Sequence, residues 1–272
     1  MIRFEQWLVA VAYGIAFVQY LSVFRTAQSH GPLRSGQLAG IAIVLHLGYL
    51  CHLTVVMGRM PVTSVFEALT TCAWLFGVVY LILEWRLREP SLGLFILPFM
   101  LVLHVLSNFF LDLDRQLPPV LMQEVVFEIH VIILLLAYSA FAISFIASLF
   151  YLLLSREIQK KTTGLFYRRL PSLAFFDTLS NRGVNIGLMF LTAGVALGVY
   201  EGLKLAEQFL KWDIKYLTVA LTWVIYSLHL LGRMTLGWQG KRAAIISVLG
   251  FGSLLFSFII VSTSLSHVHH FR

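Results

Sequence analysis

The chain has 272 residues, of which 59% are hydrophobic and 12% are charged, and its mean hydropathy is +0.85. No water-soluble fold of this length hides so large a share of apolar side chains, so the composition excludes a soluble globular protein and predicts an integral membrane protein. The formal net charge of +7 does not indicate nucleic-acid binding, because the basic residues lie in short segments between apolar runs, where they orient membrane helices.

Apolar runs long enough to cross a membrane recur along the whole chain. A span needs about 20 apolar residues to cross a hydrocarbon core of about 30 Å, and the runs lack the period-two alternation of barrel strands. The sequence therefore predicts an all-α polytopic membrane protein, a bundle of eight transmembrane helices that forms a single transmembrane domain over residues 1–272. The predicted spans are about 7–24, 38–57, 65–83, 92–111, 128–154, 184–203, 216–236 and 243–264.

The distribution of lysine and arginine predicts the orientation of these spans. One set of alternate connections holds thirteen of the twenty basic residues, and the other set, with both termini, holds seven. Under the positive-inside rule the richer set faces the cytoplasm, so both termini are expected to be extracytoplasmic. The longest basic connection, Ser155–Arg182, then lies inside the cell. We expect a multi-pass protein of the inner (plasma) membrane.

The start of the third predicted span carries a helix-capping signal. Glu67 follows Ser64 by three residues, a spacing typical of a helix N-terminus, where a carboxylate is favourable. Elsewhere the chain has no Ser/His/Asp arrangement, P-loop or dinucleotide fingerprint. The sequence therefore disfavours chemistry performed by protein side chains.

Nine histidines in so apolar a chain are its most informative feature, because an ionisable residue inside a membrane must be paired or bound to something. Counted at about 1.5 Å per residue from the predicted span ends, His46 and His229 lie roughly 10–12 Å from the inner face. His130 lies at the outer face, as do His267 and His269 near the C-terminus. Two neutral imidazoles at one depth can ligate the iron of a haem held between helices.

Each histidine also has a simpler interpretation, which is a hydrogen bond to a neighbouring helix or to a backbone carbonyl. We favour this interpretation for His52 and His104, which the same count places in the outer halves of their spans. The histidines at the C-terminus have two further alternatives, a surface metal-binding tract or an interfacial tail.

Several segments, in order along the chain, resemble the cytochrome c assembly protein family, and within it the CcsA/HemX group. The segment Phe166–Gly198 is similar to a family segment in which a Leu-Asp-x-Leu-Ser-x-Arg run precedes a glycine-rich helix. Ser64–Trp74 resembles the family's segment with Phe/Tyr-Glu-Ser/Ala-Leu at a helix start. The His130-Val131 pair resembles its His-Val helix, and Trp223–Arg233 resembles the helix after its tryptophan-rich loop. The resemblance covers about residues 60–270.

The resemblance implies a membrane protein that handles haem b, with one or two haems that each have two histidine ligands. In that family an external tryptophan-rich loop flanked by two external histidines holds haem, and histidines within the membrane ligate it lower down. Here the loop is reduced to one Trp-Asp pair, which is similar to the HemX-like branch. His46 has no firm motif match and rests on the depth count. The predicted haem-binding residues are His130, His269, His267, His229, His46, Trp212 and Asp213, the four histidines 130, 269, 229 and 46 being the foremost iron ligands.

These observations lead to one main hypothesis and two alternatives. The main hypothesis is that the protein receives haem or relays it across the membrane, in cytochrome c biogenesis or haem homeostasis. Its expected partners are haem, the lipid bilayer and other cytochrome c biogenesis or haem-synthesis proteins. The first alternative is a membrane regulator or scaffold that controls a tetrapyrrole-synthesis enzyme through the basic connection Ser155–Arg182. The weaker alternative is a transporter of another solute.

Overall fold

The computed structural model describes residues 1–26, 31–113, 124–161, 164–204 and 214–257. These residues form helices and connecting segments and contain no strand. Seven of the helices are long and apolar enough to span a membrane, which confirms the all-α polytopic class. The eighth predicted span, 243–264, runs past the described residues, so the count of eight and the orientation of the termini stay predictions.

The chain divides into two compact units, Met1–Gln123 and Glu124–Arg272. The single transmembrane domain expected from the sequence stays a prediction. In the first unit, α1 packs against α2 and α4, and α3 packs against both α2 and α4. Its helices are α1 (Ile2–Thr26), α2 (Gly31–Met57), α3 (Val65–Leu87) and α4 (Gly93–Phe110), with a 3-10 turn at Pro90–Leu92.

The start of α3 follows from the capping signal in the sequence. The Ser64 side chain accepts a hydrogen bond from the backbone N–H of Glu67, and the Glu67 carboxylate accepts in return from the backbone N–H of Ser64. Glu67 is wholly buried and also pairs with Arg59, whose Nη1 lies 2.6 Å from its Oε2. The predicted cap is thus confirmed, and the ion pair with Arg59 compensates the burial of the carboxylate.

The second unit is built around the antiparallel pair of α5 and α7. α9 packs against α5 and α8, and α7 also packs against α8. A cluster of three serine hydroxyls, from Ser144, Ser180 and Ser247, joins α5, α7 and α9 through contacts of 3.0 and 2.7 Å. The helices of this unit are α5 (Val125–Gln159), α6 (Leu165–Arg169), α7 (Leu173–Lys204), α8 (Ile214–Thr235) and α9 (Lys241–Leu255).

Glycines on one face of α7 let α5 approach closely. A methyl group added at Gly183 would lie 2.9 Å from the Ala140 carbonyl oxygen, and one added at Gly187 would meet the ring of Phe141. Further along α7, Gly194 lies against Leu134 and Gly198 against His130. Small residues at such spacing are the usual basis of close helix packing in membranes. The glycine-rich helix of the family resemblance is therefore a packing face.

The helix ends differ from those predicted by hydropathy. α2 begins at Gly31, seven residues before the predicted start, and α7 begins at Leu173, eleven residues before the predicted start. The segment Ser155–Arg182 is therefore mostly helical rather than a loop, because it contains the end of α5, all of α6 and the start of α7. Charged residues such as Arg156 and Arg182 end an apolar run but have good helix propensity, so the helices continue through them.

Candidate functional site

His229 lies in α8 and is wholly buried. Neither its Nδ1 nor its Nε2 has a hydrogen-bond partner among the described residues. The hydroxyl of Tyr226, one turn earlier on the same helix, is likewise buried and without a partner there, while its ring stacks on Phe141 at 3.8 Å between centroids. Three polar atoms on one face of α8 are therefore without a partner in the part of the chain that the structure describes.

The register of α7 against α8 places a further polar atom at the same level. Arg233 donates two hydrogen bonds of 2.9 Å to the Asp177 carboxylate, which also accepts from the backbone N–H of Gly240. Because the helices are antiparallel, Asn181, one turn after Asp177 on α7, lies level with His229, one turn before Arg233 on α8. The side-chain oxygen of Asn181 is also buried, with no partner among the described residues. Asp177, Ser180 and Asn181 all belong to residues 176–182, the FDTLSNR segment, which lies within the stretch Phe166–Gly198 that resembles the family.

The residues around His229 fit a haem iron. A buried polar group that lacks a partner costs about 1–3 kcal/mol, so a bound group with its own polar or metallic centre would relieve this cost. An imidazole gives one nitrogen to iron and commonly donates its other N–H to an oxygen. His229 can supply the ligand, and Asn181 has an oxygen of the required kind at the same level.

His130 lies in the first turns of α5 and is held by α7. Its Nδ1 lies 2.6 Å from the carbonyl oxygen of Gly194, and its ring covers Gly198. A carbonyl can only accept, so Nδ1 carries a proton, and in the neutral ring Nε2 then carries the lone pair. This is the tautomer in which Nε2 can ligate a metal.

His130 and His229 lie at two different levels of the second unit. His130 is level with Gly194 of α7, and His229 is level with Asn181, thirteen residues away on the same helix. At about 1.5 Å per residue this separation is about 20 Å along the helix axis. One iron cannot bind both side chains.

His46 belongs to a polar cluster inside the first unit. Its Nδ1 lies 2.9 Å from the Tyr13 hydroxyl and its Nε2 lies 2.9 Å from the Thr70 hydroxyl. The same Thr70 hydroxyl lies 3.0 Å from Nδ1 of His104, whose Nε2 lies 2.9 Å from the backbone carbonyl of Gln6. All five residues are wholly buried.

The direction of every hydrogen bond in this cluster follows from its last acceptor. Complete burial favours neutral imidazoles. The Gln6 carbonyl can only accept, so a neutral His104 donates from Nε2 and accepts at Nδ1 from Thr70. Thr70 then accepts from Nε2 of His46, whose Nδ1 accepts from Tyr13. Both nitrogens of His46 are thus occupied, so iron ligation by His46 requires one of these bonds to break.

Counting residues from the predicted span ends gave wrong depths for His46 and His104 relative to each other. The count placed the two residues at an inner and an outer level, but their ring centroids lie 4.6 Å apart. The early start of α2 at Gly31 explains the difference, because it adds residues between His46 and that end of the helix.

The other histidine predictions divide into those within the described residues and those outside them. His52 contacts Glu5 at 2.7 Å, and His104 bonds to Thr70 and Gln6, as the simpler interpretation of both predicted. His267, His269, Trp212 and Asp213 lie outside the described residues. Whether any of the seven candidate residues binds haem stays a prediction. The sequence did not point to Asn181 and Tyr226, because only the fold shows that their polar atoms lack partners.

Together, the helices and the buried imidazoles define an all-α integral membrane protein with polar sites between its helices. The family described as cytochrome C assembly protein matches residues 62–269. This match covers more than half of the chain, and the chain therefore belongs to the cytochrome c assembly protein family, which confirms the resemblance.

Relatives from two branches are similar to the chain. Protein HemX of Bacillus subtilis (strain 168) is 28% identical over 267 residues, which cover 96% of this chain and 95% of that protein. Cytochrome c biogenesis protein CcsA of Mesostigma viride is 27% identical over 217 residues, 71% of each chain. CcsA of Chlamydomonas reinhardtii is 29% identical over 209 residues, which cover 74% of this chain and 58% of that protein. The HemX match thus extends over nearly the whole chain.

Proposed function

We propose that this protein binds haem b between its helices and relays it across the membrane, in cytochrome c biogenesis or haem homeostasis. The observation that carries the proposal is the wholly buried His229, both of whose ring nitrogens lack a partner among the described residues. Membership of the cytochrome c assembly family supports it, since two of the relatives are named as cytochrome c biogenesis proteins. The membrane proposed is the inner (plasma) membrane.

In this proposal His229 is the inner iron ligand and His130 the outer one. Haem bound to histidine supplies an iron centre that can carry an electron or be handed to another protein. The chain supplies the rest: α7 fixes the His130 tautomer through the Gly194 carbonyl, and Asn181 offers an acceptor for the second nitrogen of His229. His267 or His269 is proposed as the second ligand of the outer site, and His46 is proposed separately as a haem ligand of the first unit.

The proposal is tested by the visible spectrum of the purified protein in detergent, before and after haem is added. We expect a low-spin spectrum with two histidine ligands. His130→Ala and His229→Ala should each weaken haem binding by at least about 10-fold or convert part of the signal to a high-spin form. His52→Gln is the matched control, because His52 contacts Glu5. A protein that takes up no haem, or two variants with unchanged spectra, would contradict the proposal.

One observation favours the regulator alternative as a second candidate. α6 presents an exposed aromatic and a cation together, since Tyr167 is 48% exposed and Arg168 is also exposed. Such a short helix can contact another protein at the membrane surface. The expected result is an enzyme of tetrapyrrole synthesis that copurifies with the wild type and is lost in Arg168→Gln/Arg169→Gln, while the haem spectrum is kept. Copurification unaffected by these changes would exclude this surface.

A further inference from the structure

A cavity of about 150 Å³ opens where α5 ends and α9 begins. Its lining comes from these two helices of the second unit and includes neither His130 nor His229. The lining residues are Leu152, Ser155, Arg156, Gln159, Lys241 and Ile245.

The outer part of this cavity is suited to an anion. Arg156 from α5 and Lys241 from α9 bring a cation from each side, and Ser155 and Gln159 add polar side chains. None of the six lining residues is acidic. The acidic neighbour of Arg156 in the sequence, Glu157, accepts a hydrogen bond from the backbone N–H of Tyr167, on the α6 side. The two positive charges are therefore not matched by a carboxylate in the lining.

The start of α9 adds further positive potential. Its N-cap is Gly240, which has no side chain to cap the first backbone N–H groups. These groups carry the partial positive charge of the helix dipole, and Lys241 is the first residue of the helix. The lining thus combines two full charges with a helix terminus.

The inner part of the cavity is apolar. Leu152 lies four residues before Arg156 on α5, and Ile245 lies four residues after Lys241 on α9, so each is about 6 Å further along its helix from the charged end. The apolar surface continues along α9, where Ile245 and Leu249 are 41% and 62% exposed. Polarity thus changes from charged to apolar over one helical turn, as it does between the headgroup and the acyl chain of a lipid.

We propose that this cavity binds the headgroup of an acidic phospholipid. Its phosphate lies between Arg156 and Lys241, and the start of an acyl chain lies along Leu152, Ile245 and Leu249. Basic pockets between transmembrane helices are a recurrent form of anionic-lipid site. The proposal does not depend on haem binding. Free inorganic phosphate has the same anionic chemistry, but it has no apolar group to contact the apolar part of the cavity.

The test is native mass spectrometry of the full chain in detergent, with phosphatidylglycerol and phosphatidylcholine of the same acyl chains as probes. We expect preferential retention of phosphatidylglycerol. Arg156→Gln/Lys241→Gln should lose about 5-fold in affinity per charge removed, or about 25-fold together. The matched control Lys160→Gln/Lys161→Gln removes two exposed charges from the same end of α5 without changing the lining.

Further variants separate the possible outcomes. Arg156→Lys/Lys241→Arg keeps both charges and should keep the lipid, which separates binding from a loss of folding. Leu152→Ser/Ile245→Ser should also weaken phosphatidylglycerol. Equal losses in the Arg156/Lys241 variant and in the control would overturn the proposal. So would displacement of the lipid by excess inorganic phosphate with no effect of the serine variants, because this result indicates a site for free phosphate.

Discussion

His46 and His229 are both wholly buried, but their ring nitrogens have different surroundings. His46 donates to Thr70 and accepts from Tyr13, whereas neither nitrogen of His229 has a partner among the described residues. Burial alone therefore does not identify a ligand-binding histidine, since burial is costly only when the polar atoms are left unpaired. At the scale of the residue, His229 is therefore the stronger candidate for an iron ligand. His46 can ligate iron only after one of its two hydrogen bonds breaks.

Thr70 is the residue that joins the two imidazoles of the first unit. Thr70→Val removes the hydroxyl at nearly constant volume, so His46 loses an acceptor and His104 loses a donor. We expect a loss of about 1–3 kcal/mol in the free energy of unfolding, because both groups stay buried. Thermal unfolding in detergent measures it, with Thr70→Ser, which keeps the hydroxyl, as the control. A valine variant as stable as the serine variant would show that the cluster is not held by Thr70.

At the scale of the element, the packing of α7 on α5 fixes the position of His130. The small residues of α7 bring its backbone close enough for the Gly194 carbonyl to reach His130. The tautomer of the proposed outer ligand is therefore a consequence of helix packing. The FDTLSNR segment has a similar role at the other end of α7, where Asp177 binds Arg233 and Ser180 bonds to Ser144.

A substitution at Gly183 tests this packing. Gly183→Ala places a methyl group 2.9 Å from the backbone oxygen of Ala140, which can move only if α5 moves. We expect a destabilisation of about 1–3 kcal/mol, typical of overpacking. Gly252→Ala on α9 is the control, because no atom lies within 4 Å of the added methyl group, and it should be neutral or stabilising by up to about 1 kcal/mol. Equal stability of the two variants would contradict close packing at Gly183.

At the scale of the whole molecule, the charge distribution predicts eight spans with both termini outside the cytoplasm. Cysteine labelling tests this topology after the two native cysteines, Cys51 and Cys72, are replaced by alanine. A cysteine at Met60 should react with an impermeant reagent in intact cells, whereas one at Lys160 should react only after permeabilisation. Both native side chains are exposed, so access by the reagent is not limited by burial. The reverse pattern would invert the predicted orientation.

Hydropathy predicted the helical class and the apolar centres of the spans, because a run of about 20 apolar residues is the length that a helix needs to cross the hydrocarbon core. It could not predict the helix ends, since Arg156 and Arg182 interrupt an apolar run but not a helix. The capping of α3 was predictable because Ser64 and Glu67 are close in the sequence. The contact of His46 with His104 was not predictable, because it depends on the rotation of helices about their axes. The same holds for the polar atoms of Asn181 and Tyr226 that have no partner among the described residues.

The central claim is that His229 supplies a nitrogen to haem iron, and rescue by free imidazole tests it most directly. His229→Gly removes the side chain and leaves space for an imidazole molecule. We predict that haem in this variant loses the spectrum of the wild type and that added imidazole restores the low-spin form. A His229→Gly variant that binds haem with the wild-type spectrum and affinity, and does not respond to imidazole, would contradict the claim.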